Sequence, residues 1–278
     1  MLLPNQASYA AAVLACLGAA RPCVLIDRNY PPERVAAVIG DAGLAGLVLN
    51  RADMASGYAP VAHAASFAIE DAFDETPPPQ AMPAGPVAPD SASFVVYTSG
   101  STGRPKGIVL SQRAVLHRAR ELINAVHLGE GDKVVSLASP GTIGGLQQIF
   151  EVMLAGATLV KLDLQRLGLG QVLRAVEDKR VTMMFSTPAV WRSMARLDGA
   201  AQSLRTLRCI QSSGDILLRV DYDLVRSVLP PGCADVDFAL VDEAGGPAPE
   251  GAEGELVVRS AFTSLGIWRD GVVVPEPF

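Results

Sequence analysis

The sequence predicts an α/β fold, with mainly parallel sheets flanked by helices and a short antiparallel piece at the C-terminal end. Short apolar segments of strand length alternate with longer segments that carry helix signals, which is typical of a parallel sheet covered by helices. Apolar residues make up 49% of the 278 residues and charged residues 19%, as expected for a folded protein with a substantial core. After Asp235 two apolar segments flank a turn-rich sequence, which favours a hairpin.

The first 75 residues carry two rounds of this alternation. Pro31 and Pro32 open the second predicted helix, where proline is tolerated in the first turn. The sequence predicts a helix over residues 8–20, a strand over 24–26, a helix over 33–39 and a strand over 47–49. Between Arg51 and Asp90 the alternation is lost, and we interpret the proline-rich residues 76–90 as an extended connection.

Residues 91–233 resume the alternation and form the second predicted part of the fold. Ser111 is a predicted N-cap for the helix that follows it. The predicted strands are residues 94–97, 108–110, 134–136, 158–160, 183–185 and 207–211, and the predicted helices are residues 111–125, 143–154, 169–178 and a segment from Pro188. Residues 234–278 are predicted to be a β-rich remnant, with strands over 238–241 and 255–258.

The segment Tyr97–Gly107, with the sequence YTSGSTGRPKG, is the part of the chain that indicates a chemical function. Its three glycines let the backbone approach a ligand closely, and its four hydroxyl side chains are short hydrogen-bond donors. Free backbone N–H groups in such a loop form a concave anion site, and Lys106 adds a charge suited to a polyphosphate. The loop differs from a Walker A loop, because Pro105 precedes Lys106 and Gly107 follows it. The sequence therefore predicts a phosphate-binding loop between two strands.

This segment resembles the signature loop of the adenylate-forming (AMP-binding) superfamily, which includes acyl-CoA synthetases and the adenylation domains of nonribosomal peptide synthetases. Every defined position of the family pattern Y-T-S-G-[ST]-T-G-x-P-K-G is matched. Other likenesses extend over most of residues 3–272, and they are LACLGA at 14–19, VLID at 24–27, LAGATLV at 154–160, STP at 186–188, SGD at 213–215 and GELVV at 254–258. The resemblance implies the large N-terminal domain of these enzymes.

The resemblance also implies an activity, which is the conversion of a carboxylic acid and ATP, with Mg²⁺, to an acyl-adenylate. Transfer to a thiol of CoA or of a carrier protein would usually follow. The residues to which the resemblance assigns phosphate binding are Thr98, Ser99, Gly100, Ser101, Thr102, Gly103 and Lys106, with Lys106 and Thr98 as the catalytic pair. It places Gly214 and Asp215 beside the adenine, and Ile143, Gly144 and Ser213 beside the acid.

Departures from the family pattern of two kinds, one substituted residue and three missing elements, bear on function. Members that activate α-amino acids have an aspartate at the position of Ile143, so the resemblance implies an acid without an α-amino group. The aromatic-Gly-x-Thr-Glu motif, the Thr-Gly-Asp motif and the small C-terminal lid domain with its lysine are missing. The sequence leaves two functions open: a truncated carboxylate-activating ligase that is impaired on its own, or an inactive domain that binds a nucleotide or a protein.

Charge and composition argue against nucleic-acid binding, membrane binding and metal binding. The net charge of −6 argues against nucleic acids and anionic membranes as partners, and no segment reaches membrane-spanning length, so we expect a cytoplasmic protein. The four cysteines and three histidines show no metal-ligand spacing, so no metal site is expected. We interpret Asp41 and Asp132 as turn residues and Trp191 as a core residue.

The missing motifs and lid domain would leave apolar surface of the large domain exposed, so self-association is expected.

Overall fold

The computed structural model describes residues 1–56, 65–74, 88–98, 105–139, 141–212, 214–215, 218–236, 266–269 and 272–274. The strands are β1 (Leu2–Leu3), β2 (Cys23–Asp27), β3 (Gly46–Leu49), β4 (Ala65–Ala68), β5 (Ala92–Thr98), β6 (Lys106–Ser111), β7 (Lys133–Ser136), β8 (Thr158–Lys161), β9 (Met183–Ser186), β10 (Cys209–Ser212), β11 (Ala234–Val236), β12 (Gly266–Arg269) and β13 (Val272–Val274). The helices are α1 (Ala7–Gly18), α2 (Pro32–Ala42), α3 (Arg51–Ala55), α4 (Asp71–Asp74), α5 (Gln112–Val126), α6 (Ile143–Leu154), α7 (Leu164–Leu167), α8 (Leu169–Lys179), α9 (Pro188–Ala195), α10 (Ala200–Ser203) and α11 (Arg219–Arg226). The predicted α/β fold with parallel sheets and flanking helices is confirmed.

Local sequence signals explain where several helices begin and end. The Ser111 hydroxyl accepts a hydrogen bond from the Ala114 N–H at the start of α5, as predicted for an N-cap. Thr142 does the same at the start of α6, where its hydroxyl accepts from the Gly145 N–H. Helix α2 ends at Gly43, whose left-handed backbone (φ +58°) is easily adopted by glycine.

A six-stranded sheet with the order β1-β2-β5-β6-β12-β13 contains the predicted phosphate loop. Strands β1, β2 and β5 are parallel, whereas β5, β6, β12 and β13 pair antiparallel. Only seven residues separate β5 from β6, which is too short for a parallel crossover, so these two strands form a hairpin. The sheet joins strands from the predicted 1–75 and 91–233 parts into one unit.

A five-stranded parallel sheet with the order β11-β10-β9-β7-β8 forms the other half of the fold. Helix α6 lies between the two sheets: its Phe150 packs with Phe94 of β5, and its Val152 packs with Val134 of β7. The opposite face of the five-stranded sheet is covered by α8 and α9. The opposite face of the six-stranded sheet is covered by α2. The layers are therefore helix, sheet, helix, sheet and helix.

The structure corrects the sequence analysis within residues 51–90. Two short helices, α3 and α4, and strand β4 lie there, and β4 pairs in parallel with β3. Asp41 lies inside α2 rather than in a turn, and its carboxylate accepts a hydrogen bond from the Tyr97 hydroxyl at 2.6 Å. The predicted strands over 238–241 and 255–258 and most of the 76–90 connection lie outside the described residues. The described antiparallel pair near the C-terminal end is β12 with β13.

Two further observations concern the whole described part of the chain. None of its helices is long and apolar enough to cross a membrane. Its four cysteines form no disulfide, and Cys23, Cys209 and Cys233 are buried.

Candidate functional site

The β5–β6 hairpin fixes both ends of the predicted phosphate loop. Thr98, the last residue of β5, is the register partner of Lys106, the first residue of β6. The Thr98 hydroxyl donates to the Lys106 carbonyl at 3.4 Å, so the two ends of the loop are held together. Thr98 is exposed and Lys106 is half-buried. The remaining predicted phosphate-binding residues, Ser99, Gly100, Ser101, Thr102 and Gly103, lie outside the described residues.

The carboxyl end of β2 lies beside the start of this loop. Leu25 of β2 is paired with Val96 of the parallel strand β5, which places Asp27 level with Thr98. Adjacent strands are about 4.8 Å apart, so Asp27 lies beside the strand from which the loop leaves. One Asp27 carboxylate oxygen accepts from the Asn29 N–H at 2.8 Å, and the other accepts from the Ser139 hydroxyl.

Ser139 belongs to the segment 137–142, which connects β7 to α6 and leads to the predicted acid-binding residues. Ile143 and Gly144 are the first two residues of α6. Ile143 packs against the buried cluster that includes Leu146 and Phe94. The hydrogen bond from Ser139 to Asp27 therefore links the start of α6 to the strand next to the phosphate loop.

Asn5, which follows β1, also contacts the segment 137–142. Its amide nitrogen donates to the carbonyls of Leu162 at 3.1 Å, Ser136 at 3.4 Å and Ala138 at 3.5 Å. Asn5 is buried and follows β1, so the six-stranded sheet reaches across to the carboxyl ends of β7 and β8. In open α/β sheets ligands bind at the carboxyl ends of the strands. Asn5, Asp27 and Ser139 shape this edge.

The predicted adenine-binding residues follow β10 at the corresponding edge of the five-stranded sheet. Gly214 has a positive φ of +90° and is exposed, as is Asp215. A side chain at Gly214 would contact Thr187, which precedes α9. Trp191 of α9 donates its indole N–H to the Gln211 carbonyl of β10 at 3.3 Å, which fixes the end of this strand. Ser213 lies outside the described residues.

The sequence analysis missed Asn5, Asp27, Ser139 and Lys161. Asp27 and Lys161 each end an apolar strand, and a polar residue at that point is a signal that sequence alone provides. Their partners come from residues more than a hundred positions away, so the contacts themselves have no sequence signal. The described residues contain no group of three or more His, Cys, Asp or Glu side chains suited to a metal ion.

Gly141 provides a test of how closely the 137–142 segment packs against β2. A Cβ atom at this position would lie 2.6 Å from the Asp27 backbone nitrogen and 3.1 Å from its Cα, so the backbone must shift. We expect Gly141→Ala to lower the free energy of unfolding by about 1–3 kcal/mol, as overpacking does. Urea unfolding measures this loss.

Gly144→Ala is the matched control for that substitution. The nearest atom to a Cβ there is the Thr142 hydroxyl oxygen at 4.0 Å, and alanine is the better helix former inside α6. We expect Gly144→Ala to be neutral or stabilising. Equal stability for the two variants would contradict the close packing described for Gly141.

Comparison with known proteins gives the context of this geometry. A family model described as AMP-binding enzyme matches residues 1–231. Nonribosomal peptide synthetase 5 of Gibberella zeae is 31% identical over 75% of this chain, and pyochelin synthetase PchF of Pseudomonas aeruginosa is 32% identical over 77%. The chain spans 2% and 12%, respectively, of the lengths of these two relatives.

A solved structure shows the same fold. It is the nonribosomal peptide synthetase FmoA3 (S1046A) with α-methyl-L-serine-AMP bound, and it superposes with a TM-score of 0.80 at 23% identity. The superposition covers 97% of this chain and 34% of that one. These two coverages are consistent with the expectation that this chain corresponds to one portion of the large domain.

Proposed function

The chain belongs to the AMP-binding enzyme family, and from that membership we propose that it is a carboxylate-activating domain that uses ATP to form an acyl-adenylate. The observation that carries the proposal is the β5–β6 hairpin, which holds Thr98 and Lys106 side by side at the two ends of a Gly- and Ser/Thr-rich loop. We propose a cytoplasmic location, where ATP is available.

Lys106 and Thr98 are proposed to act on the phosphates of ATP. A lysine ammonium beside the β- and γ-phosphates offsets the negative charge that grows on pyrophosphate as it leaves, which lowers the barrier. The Thr98 hydroxyl, on exchanging the Lys106 carbonyl for a phosphate oxygen, and the loop N–H groups would hold the phosphates in line with the acid, so that the carboxylate oxygen attacks the α-phosphorus. Mg²⁺ is proposed to arrive with the phosphates of ATP, its usual ligands in such enzymes. Gly214 and Asp215 are proposed to contact the adenine.

The acid is proposed to bind at the start of α6. Ile143 presents an apolar side chain there, and Gly144 next to it leaves open space near the helix. The Ile143 side chain has no carboxylate that could pair with the ammonium group of an amino acid. This supports an acid without an α-amino group. A thiol of CoA or of a carrier protein is the proposed acceptor of the acyl group.

A second function is favoured by a specific feature of the sequence. The 278 residues contain no Thr-Glu dipeptide and no Thr-Gly-Asp motif, so two elements expected of an active member are missing. On this alternative, the chain is an inactive domain that binds a nucleotide or a protein. Pyrophosphate exchange with a panel of carboxylic acids separates the two functions, because only an enzyme incorporates labelled pyrophosphate into ATP.

Titration of Mg·ATP tests the phosphate site without knowledge of the acid. We expect Lys106→Ala to weaken binding about 10- to 100-fold, because a hydrogen bond to a charged group contributes roughly 1.5–3 kcal/mol. Isothermal titration calorimetry measures both dissociation constants.

Lys179→Ala is the control, since Lys179 is an exposed lysine at the end of α8 and its loss changes the net charge equally. Equal affinities of Lys106→Ala and Lys179→Ala for Mg·ATP would refute the proposed role of the loop. Size-exclusion chromatography of the same samples tests the expected self-association.

A further inference from the structure

A buried group of polar side chains at the carboxyl ends of β7 and β8 has no assigned role. Ser136 ends β7, Lys161 ends β8, and the two are register partners on neighbouring parallel strands. Register partners on adjacent parallel strands project their side chains from the same face of a sheet. Asn5 donates to the carbonyl of Ser136 and to that of Leu162, which places its amide beside both strand ends.

Three polar atoms of this group are buried without a hydrogen-bond partner. They are the Ser136 hydroxyl oxygen, the Lys161 Nζ and the Asn5 Oδ1. Ser136 is fully buried and Asn5 is 8% exposed. Unsatisfied buried polar atoms are rare in folded proteins, and a cluster of them points to a water, an ion or a ligand.

The chemistry of the three groups selects the kind of ligand. Lys161 offers three N–H donors and a positive charge, and Ser136 offers one more donor. Asn5 Oδ1 only accepts and the Ser136 hydroxyl can donate or accept, so the group that distinguishes this cluster is the buried ammonium of Lys161, which has no hydrogen-bond partner among the described residues. The Lys161 ammonium also lies 5.6 Å from the ring centroid of Tyr9, a buried residue of α1. Burial lowers the pKa of Lys161 to about 8, so the side chain still carries its charge at neutral pH. An anion with several acceptor positions is the complementary ligand.

The position of the group relates it to the proposed acid site. Residues 137–142 lead directly from Ser136 to Ile143 at the start of α6, and Asn5 contacts the Ala138 carbonyl within this segment. We propose that Lys161 and Ser136 donate to a second, distal carboxylate of the acid, while Asn5 holds the two strand ends through their carbonyls, so that the chain selects dicarboxylic acids. This inference rests on the proposed function for the location of the reacting carboxylate.

The test compares ligands that differ by one charge. Calorimetric titrations use α,ω-dicarboxylates of increasing length and the monomethyl ester of each, with the unaltered chain, Lys161→Met and Lys179→Met. For at least one length we expect the dicarboxylate to bind ten times or more tighter than its ester. We expect this preference in the unaltered chain and in Lys179→Met, and its loss in Lys161→Met.

Thermal unfolding separates a binding role from a structural one. Lys161→Met replaces a buried ammonium with an apolar side chain of similar length, so we expect its Tm to rise in the absence of ligand. Dicarboxylate should raise the Tm of the unaltered chain and leave that of Lys161→Met unchanged. A preference that survives Lys161→Met, or the absence of any preference at every length, overturns the proposal and leaves a site filled by water alone.

The outcome is independent of the test of the proposed function. Mg·ATP binding that depends on Lys106 supports the phosphate site whatever the acid titrations give. Dicarboxylate binding that depends on Lys161, without Mg·ATP binding, would support the subsite and remove the proposed function.

Discussion

Trp191→Ala is expected to lower the free energy of unfolding by about 3–5 kcal/mol, the usual cost of truncating a large core residue. Trp191 is 1% exposed and lies in the cluster that joins α8 and α9 to the five-stranded sheet. The substitution also leaves the Gln211 carbonyl without its indole partner. Urea unfolding followed by circular dichroism measures the loss. The m-value, which is the slope of the unfolding free energy against urea concentration, should be equal in the variant and the unaltered chain if both expose the same surface on unfolding.

Trp191→Phe separates the two contributions. Phenylalanine keeps most of the ring volume and removes the N–H, so we expect a loss well below that of alanine. Because Gln211 belongs to the strand that leads to Gly214, both variants also test whether the end of β10 affects nucleotide binding. A loss of less than about 1 kcal/mol for Trp191→Ala would contradict the packing described for this residue.

Arg208→Leu is expected to have the second largest effect, a loss of roughly 3 kcal/mol at pH 7. Arg208 forms two hydrogen bonds with Asp132, at 2.7 and 2.6 Å, and its remaining donors reach the carbonyls of Val126 and His127 at the end of α5. Asp132 is 7% exposed, so loss of the partner leaves a buried carboxylate, which costs about 3–5 kcal/mol. We expect the lower end, because the Arg208 side chain is 41% exposed.

The pH dependence of this loss has a defined sign. Burial alone would raise the pKa of Asp132, but hydrogen bonds from Arg208, the Gly129 N–H and the Thr182 hydroxyl outweigh it and lower the pKa below 3.8. Because the pKa of Asp132 is lower in the folded chain than in the unfolded chain, this carboxylate stabilises the fold at pH values above its unfolded-state pKa. The stabilisation is lost as the pH falls through its folded-state pKa. The difference between Arg208→Leu and the unaltered chain should therefore shrink below about pH 4.

Arg205→Leu is the control for that experiment. Arg205 pairs with Glu177 at the surface, where solvent screens the interaction, and its removal should cost much less. A difference between Arg208→Leu and the unaltered chain that stays constant down to pH 3 would show that the carboxylate of Asp132 is not responsible.

Much of the fold could be predicted because its signals are local. The predicted helix over residues 143–154 coincides with α6, and Ser111 caps α5 as expected. The interpretation of Trp191 as a core residue is also confirmed. Each of these depends on the residue type and its immediate neighbours, which the sequence displays directly.

Features that depend on tertiary structure could not be predicted in the same way. Residues 51–56 and 65–74 form short helices and a strand whose pairing with β3 is what orders them, and short elements carry little periodicity. Asp41 lies in a helix although its residue type favours turns, because Val35, Val38 and Ala42 of α2 pack against the six-stranded sheet. Tertiary contacts outweigh local preference in both cases.

The candidate site shows the same division. The loop sequence between β5 and β6 predicted the site, and the hairpin that holds Thr98 beside Lys106 is consistent with it. The roles of Gly214, Asp215, Ile143 and Gly144 stay predictions. The sequence marks Asp27 and Lys161 only as polar residues that end apolar strands, and it does not mark Asn5, since the contacts of each come from a distant strand or segment.

The hydrogen bonds of Asn5 also have a consequence for the synthesis of this chain. Asn5 and the Leu162 carbonyl are 157 residues apart. At roughly 5–20 residues per second, the ribosome needs on the order of ten seconds or more to add that length. For most of this interval α1 lacks the part of its apolar cluster that α6 supplies through Leu146, Ile149 and Phe150. The nascent chain therefore has a period in which chaperones can bind it, and slower translation before Leu162 should lengthen that period.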